Sequence, residues 1–232
     1  MFRRRRRSDD PDDPAIATTA GTSEDMSEDV SAQAGASRPG GPFDVSEVDL
    51  TDPVQRRVDL GGLLVRGIEG MQLQLQVDER SGAATGVTIV LGDAAVQLVA
   101  VAAPRSSGMW EQIRLQLAAD AQRRGGTVQE ARGPFGTEVR RVLPVTTPDG
   151  KSGVQPSRVA GIDGPRWMLR ATFLGKATTD VQVFGRLVQV VRDTVVVRGD
   201  RPMAPGDVIP LKAPVRDESS SDSADQAPAT DG

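Results

Sequence analysis

The chain has 232 residues and a formal net charge of −4, and it contains no histidine, cysteine or tyrosine. Without cysteine there is no disulfide, thiolate nucleophile or zinc finger, and without histidine the usual general base near neutral pH is missing. A Ser-His-Asp or Cys-His active site is therefore excluded within this chain. Catalysis would have to use Asp, Glu, Lys or a metal ion held by oxygen ligands.

Both ends of the chain have the composition of disordered tails. Residues 1–47 and 213–232 are poor in large apolar side chains and rich in Ser, Asp, Ala and Pro. Such segments cannot bury enough apolar surface to offset the entropy lost on ordering. The composition therefore predicts one folded domain at residues 48–212, mildly basic between two acidic ends.

The first residues carry a run of five arginines, Arg3–Arg7. Asp and Pro follow the run, rather than the apolar region of a secretory signal. No stretch of the chain approaches the roughly 18 apolar residues of a membrane-spanning helix. We therefore expect a soluble cytoplasmic protein without a membrane span. The arginine run is a candidate contact for nucleic acid or anionic lipid, and the simpler alternative is a solvated tail partly neutralised by the adjacent DDPDD.

The first half of the folded region reads as four antiparallel strands, in the order GGLLVRGI, MQLQLQVD, GVTIVL and AAVQLVAV. In the second of them, glutamines alternate with Met71, Leu73, Leu75 and Val77, which indicates one buried face and one wet face. Gly92-Asp93 separates the last two strands, and such a pair is typical of a two-residue hairpin.

One amphipathic helix is predicted from about Gly108 to Arg124. Ser106 or Ser107 would cap its free N–H groups, and Gly125 or Gly126 would end it. Its apolar side chains recur at helical spacing and form a single stripe made of Trp110, Ile113, Leu117 and Ala121.

The second half returns to strands, which are predicted at TVQEAR, TEVRRVLPV, RWMLRATFLG, VQVFGRLVQVV and TVVVRG. TPDGKSG and GIDGP are interpreted as turns, and Arg192-Asp193 as the tip of a hairpin. The sequence therefore predicts an α+β fold, a mostly antiparallel β-sheet with one main helix packed on one face.

The stretch GPRWMLRATFLGKA shows the alternation of a half-buried strand. One face carries Trp167, Leu169, Ala171 and Phe173, and we expect it to pack on the predicted helix, so that both tryptophans lie in the core. The other face would be solvated, and it carries Arg166, Met168, Arg170 and Thr172.

A binding site is predicted on this solvated, basic face. Arg166, Arg170 and Arg186 would line a groove for an acidic partner, with Lys176 beside them and Asp163 as a polar group of the GIDGP loop. The simpler alternatives are a solvated strand face with arginine stems covering apolar surface, and an ordinary tight turn at Asp163. No catalytic, cofactor-binding or metal-binding residues are predicted.

The middle of the chain resembles an actinobacterial family, domain-of-unknown-function family 3710. The resemblance rests on GGLLV, GPRWMLRATFLGKA and TVVVRGDRPMAPGDVIPL, and it extends over roughly residues 45–213. It implies no established activity, cofactor or catalytic residue.

Three functions remain open at this point. The first is a non-catalytic interaction module of the cytoplasm that binds a protein partner through its basic sheet face. The second is a nucleic-acid-binding protein that uses the same arginines with Arg3–Arg7, although no exposed aromatic side chain stands beside them for base stacking. The third is an unrecognised carboxylate- or metal-dependent enzyme. A continuous positive groove, converging carboxylates or an exposed apolar strip would distinguish them.

Overall fold

A broad antiparallel sheet separates two apolar cores in the computed structural model, which describes residues 40–51, 57–106, 108–147 and 149–214. Its strands and helices are β1 Phe43–Asp44, β2 Arg57–Asp59, β3 Leu63–Arg66, β4 Met71–Val77, β5 Ala84–Leu91, β6 Ala94–Ala102, α1 Met109–Arg123, β7 Thr127–Gly133, β8 Gly136–Thr146, β9 Ser152–Gly164, β10 Trp167–Gly175, α2 Val181–Asp193 and β11 Val195–Val196. Short 3-10 turns occupy Val45–Glu47 and Lys176–Thr178.

The described strands form two sheets. The large sheet has seven strands in the order β4-β5-β6-β10-β9-β8-β7, and all neighbours are antiparallel. The small sheet has the order β1-β11-β3-β2, and only its β1–β11 pair is parallel. The mostly antiparallel α+β architecture is thus confirmed.

The first core lies between the large sheet, α2 and the small sheet. Trp167, Leu169 and Phe173 on β10 are fully buried in it. Phe173 meets Phe184 of α2 edge to face, with 4.8 Å between the ring centroids. The indole Nε1 of Trp167 donates to the buried Asp44 Oδ2 at 2.7 Å, so this core also fixes the strand β1.

The second core lies under α1, on the opposite face of the large sheet. Trp110 packs there against Val139 and Val159, and its Nε1 donates to the Thr137 carbonyl at 2.8 Å. The indole lies on Gly161, where a side chain would overlap the ring. A glycine inside a strand often marks such a close approach.

Several local predictions are confirmed. Leu91 pairs with Ala94 around the Gly92-Asp93 hairpin, and the predicted helix is α1, with its apolar stripe turned to the sheet. Both tryptophans are buried. They lie on opposite faces of the sheet, however, whereas we expected the Trp167 face to pack on the helix that carries Trp110.

The segment predicted as the strand VQVFGRLVQVV is the helix α2, and this prediction is wrong. Its buried side chains include Phe184, Leu187, Val188 and Val191, at the spacing of a helical face. Asp180 caps it by accepting hydrogen bonds from the Gln182 and Val183 N–H groups at 2.9 and 3.1 Å. Consequently Arg192-Asp193 ends a helix and is not the tip of a hairpin. α2 also adds a second helix on the face of the sheet opposite α1.

The strand β9 was missed, and GIDGP was wrongly placed in a turn. Gly161 and Gly164 lie within β9, each beneath a tryptophan ring, and the turn falls at Pro165-Arg166. The glycines therefore serve indole packing rather than chain reversal.

The face of β10 that was expected to be wet is largely covered. Met168 and Thr172 are buried and Arg170 is half-buried, because α1 and the chain around Val208 lie over this part of the sheet.

Two neighbouring elements also differ from the predictions. The strand β3 belongs to the small sheet instead of pairing with β4, and the N-cap residue of α1 is Gly108, with no side-chain cap.

Most of the predicted tails, residues 1–39 and 215–232, lie outside the described residues, and so does the Arg3–Arg7 run. Phe43–Glu47, which the sequence assigns to the first tail, form β1 and the 3-10 turn that follows it. Neither described helix is long and apolar enough to span a bilayer.

The contact between Trp110 and Gly161 gives a test of this packing. We expect Gly161→Ala to lower the free energy of unfolding by about 1–3 kcal/mol, because the added methyl group overpacks the core. Gly185→Ala is the matched control, since its methyl group meets open space on α2 and removes a helix-interior glycine. It should raise the stability by about 0.5–1 kcal/mol. Urea unfolding measures both, and equal effects would contradict the packing.

Candidate binding groove

A groove of about 630 Å³ opens between α1 and the large sheet, and we call it the α1 groove. Strands β6 and β10 form its floor, α1 forms one wall, and the chain after β11 forms the other. This second wall is held by the Gly206 N–H donating to the Ala102 carbonyl at 2.8 Å and the Ile209 N–H donating to the Ala100 carbonyl at 2.9 Å. The lining comprises Val99, Val101, Met109, Gln112, Ile113, Gln116, Leu117, Asp120, Arg123, Met168, Arg170, Gly206 and Val208.

The α1 groove has an apolar end and a cationic end. At the apolar end Met168 pairs in register with Val101, which forms a β-bridge with Val208. The start of α1 lies at this end, since Met109 neighbours Gly206. Two residues further along β10, the cationic end begins.

Two half-buried arginines lie on the α1 face of the sheet, Arg170 on β10 in the groove lining and Arg141 on β8, and we call them the arginine pair. Burial lowers the pKa of Arg170. Burial, and then the neighbouring charge of Arg170, lower the pKa of Arg141. Both groups keep their charge under ordinary conditions, so positive charge is concentrated beside the groove.

Of the arginine pair, Arg170 is the one without compensation from the surrounding chain. Arg141 Nε donates to Ser157 Oγ at 3.2 Å, and the charge of Asp120 favours the protonated form of Arg141. The guanidinium of Arg170 makes no hydrogen bond or ion pair with any described residue. Asp120, the carboxylate that lines the groove, is engaged by Arg123 at 3.4 Å and Arg124 at 3.9 Å. The site can therefore accept an anion from outside the described chain.

The other predicted binding cations lie away from the α1 groove. Arg166 is exposed in the β9–β10 turn with a φ of +61°. Arg186 is on α2, across the sheet, and donates to the Glu69 carbonyl at 3.1 Å. Lys176 is exposed and pairs with Asp93 at 2.8 Å. Arg170 is thus separated from these three, whose predicted binding role stays a prediction.

Asp163 lies on β9 beneath the start of α1. It pairs in register with Met168 and so shares the sheet face of Arg170. Burial raises the pKa of Asp163, against the opposite effect of the Gly108 and Trp110 N–H groups. Its Oδ1 is buried without a hydrogen bond from any described residue. The carboxyl group thus lies near the first N–H groups of α1, whose partial positive charge opposes the effect of burial.

Two features of the site were missed from the sequence. Arg141 was read only as part of a strand, because its proximity to Arg170 depends on β9 lying between β8 and β10. Glu138, a carboxylate on the other sheet face that is only 1% exposed, is held by Arg158 at 2.8 Å and Arg140 at 2.8 Å. Because both arginines pair with its carboxylate, Glu138 has a structural role and is not available as a free acid or base.

No group of three or more acidic side chains within the described ranges is arranged to hold a metal ion. The arrangement around the α1 groove offers hydrogen-bond donors, positive charge and apolar surface, which are the properties of a binding site.

Fold and groove define the class of protein, an α+β domain with a basic groove between a helix and an antiparallel sheet. The chain belongs to the family described as protein of unknown function (DUF3710), whose model matches residues 41–219. The family assignment predicted from the sequence is thereby confirmed.

No curated protein sequence matches this chain. Among solved structures, the solution structure of cyanobacterial PsbP (CyanoP) from Synechocystis sp. PCC 6803 is similar at 8% identity and a TM-score of 0.34, over 58% of this chain and 86% of that chain. A likeness of this degree gives no information about function.

The raised pKa of Asp163 predicts a pH-dependent stability. A carboxylate with a raised pKa in the folded state stabilises the fold only when protonated, and this contribution is lost as the pH rises through that pKa. We therefore expect Asp163→Asn to melt at a higher temperature than the wild type at pH 7. The difference should vanish below about pH 3.8, the usual pKa of Asp. A variant less stable than the wild type at pH 7 would show that the α1 N–H groups hold the charged form.

Proposed function

We propose that the protein is a non-catalytic binding module that takes an anionic partner in the α1 groove. The observation that carries this proposal is the half-buried Arg170, which lines the groove and whose guanidinium has no anionic partner among the described residues. A desolvated charge without a counter-ion is costly to the fold. Groups of this kind are concentrated at functional sites, where a ligand supplies the missing partner.

The shape and chemistry of the groove support binding rather than catalysis. Its floor is apolar strand surface and its charged groups are guanidinium groups and the engaged Asp120. Guanidinium groups donate hydrogen bonds in a fixed planar fork that matches a carboxylate or phosphate, and they do not exchange protons near neutral pH. With no histidine or cysteine in the sequence, anion recognition is the chemistry that this set of residues performs best.

The test uses the full chain and a fluorescein-labelled peptide of eight glutamates, with binding measured by fluorescence anisotropy at 50 and 200 mM NaCl. We expect Arg170→Gln to weaken binding about tenfold, because a charge-assisted hydrogen bond contributes about 1.5–3 kcal/mol. Its melting temperature should not fall, since an unpaired half-buried charge is removed. Arg80→Gln is the control, an equal loss of charge on the exposed β4–β5 turn.

The proposal fails if Arg80→Gln and Arg170→Gln weaken binding equally, or if Arg170→Gln leaves it unchanged. An unfolded Arg170→Gln variant would also contradict it, because Arg170 would then have a structural partner. Tighter, Arg170-dependent binding of a labelled eight-nucleotide single strand would assign the groove to nucleic acid instead of an acidic protein segment.

A further inference from the structure

The α1 groove changes from apolar to cationic along its length. Met168, Val101 and Val208 meet at one end, and Arg170 follows two residues later on β10, about 7 Å away at strand spacing. A ligand that satisfies both ends must carry an apolar body and an anionic end. A simple inorganic anion would use the cationic end alone.

The length of the groove limits the size of this ligand. On α1 the lining extends from Met109 to Arg123, and fourteen steps of about 1.5 Å give roughly 21 Å. An extended peptide advances about 3.3 Å per residue. The groove therefore accommodates about six residues of extended chain.

The rim of the groove favours a peptide over a hydrocarbon chain. Gln112 and Gln116 line it from α1 and are exposed. They are four residues apart on the helix, so their side chains are neighbours about 5–6 Å apart. Each amide both donates and accepts hydrogen bonds, which matches the alternating N–H and C=O groups of an extended backbone. An acyl chain has no hydrogen-bonding groups along its length, so neither amide would contact it through a hydrogen bond.

We infer that the α1 groove binds the C-terminal segment of a partner protein, with the terminal carboxylate on Arg170 and the preceding apolar side chains over Met168 and Val101. This inference rests on the proposed function and names its ligand. A terminal carboxylate is attached directly to the extended backbone, so it reaches the floor of the groove without ordering a long side chain. Arginine binds a carboxylate through two parallel hydrogen bonds, which fixes the direction of the peptide.

The test measures the binding of three synthetic peptides to the full chain by calorimetry. The first is acetyl-Ala-Leu-Val-Leu with a free carboxylate, the second is the same peptide with a C-terminal amide, and the third is acetyl-Ala-Ser-Gly-Ser with a free carboxylate. We expect the apolar acid to bind about tenfold or more tightly than either of the others, because only it uses both ends of the groove.

Variants assign the two ends separately. Arg170→Gln should abolish the difference between the apolar acid and its amide. Val208→Ser should weaken binding of the apolar acid several-fold and leave the polar acid unchanged, since Val208 lines the apolar end and is already 37% exposed. Arg80→Gln is the charge control and should leave all three affinities as in the wild type.

Equal affinities for acid and amide would overturn the inference. If the glutamate peptide still binds in an Arg170-dependent way, the proposed function stands and only the ligand assignment fails. If neither binds, both fail. Tighter binding of decanoate than of the apolar acid would assign the groove to an acyl chain. A dimer in sedimentation velocity that Arg170→Gln dissociates would assign it to a second copy of this chain. Either result would overturn the peptide assignment.

Discussion

The contact between the Trp110 indole and Gly161 is the constraint on which the α1 side of the molecule depends. It allows the helix to approach the sheet closely, and the indole hydrogen bond to the Thr137 carbonyl fixes the position of the ring. Trp110 anchors the first turn of α1 over β9, and the helix packs on β7, β8 and β9, so that β10 and β6 are left uncovered at its side. The space left between the helix and these two strands is the α1 groove. A larger residue at Gly161 would move the wall of the proposed binding site.

Strand β10 links the stability of the protein to its proposed function. One face of the strand supplies Trp167, Leu169 and Phe173 to the main core, while the other presents Met168 and Arg170 to the α1 groove. Arg170 is therefore held on a strand whose position is fixed by packing on its opposite side. Such rigid placement reduces the entropy lost when a ligand binds. The desolvation of its charge is the cost of this arrangement, and an anionic ligand would offset it.

Local patterns in the sequence predicted the elements whose period was unambiguous. The strict alternation in β4, the Gly92-Asp93 hairpin and the apolar stripe of α1 each needed only neighbouring residues. The helix α2 was mistaken for a strand because five valines in thirteen residues favour β-structure locally, and its apolar residues fit both periods over short windows. The packing of Phe184 on Phe173 and the cap at Asp180 favour the helix over a strand. Arg170 was predicted as a binding residue. The placement of Arg141 on the same sheet face depends on the order of β8, β9 and β10, which local sequence patterns do not reveal.

Anion binding at Arg170 is tested most directly by a side-chain NMR spectrum of the arginine Nε–Hε groups of the full chain, recorded with and without an anionic peptide. We expect the Arg170 signal to shift and to become protected from solvent exchange when the peptide binds. The signal of Arg66, which already pairs with Asp193 at 3.6 Å beyond the other face of the sheet, should stay in place. Peptide-induced shifts at Arg66 or Arg186 without any at Arg170 would contradict anion binding at Arg170, and so would an Arg170 signal that is already protected in the free chain.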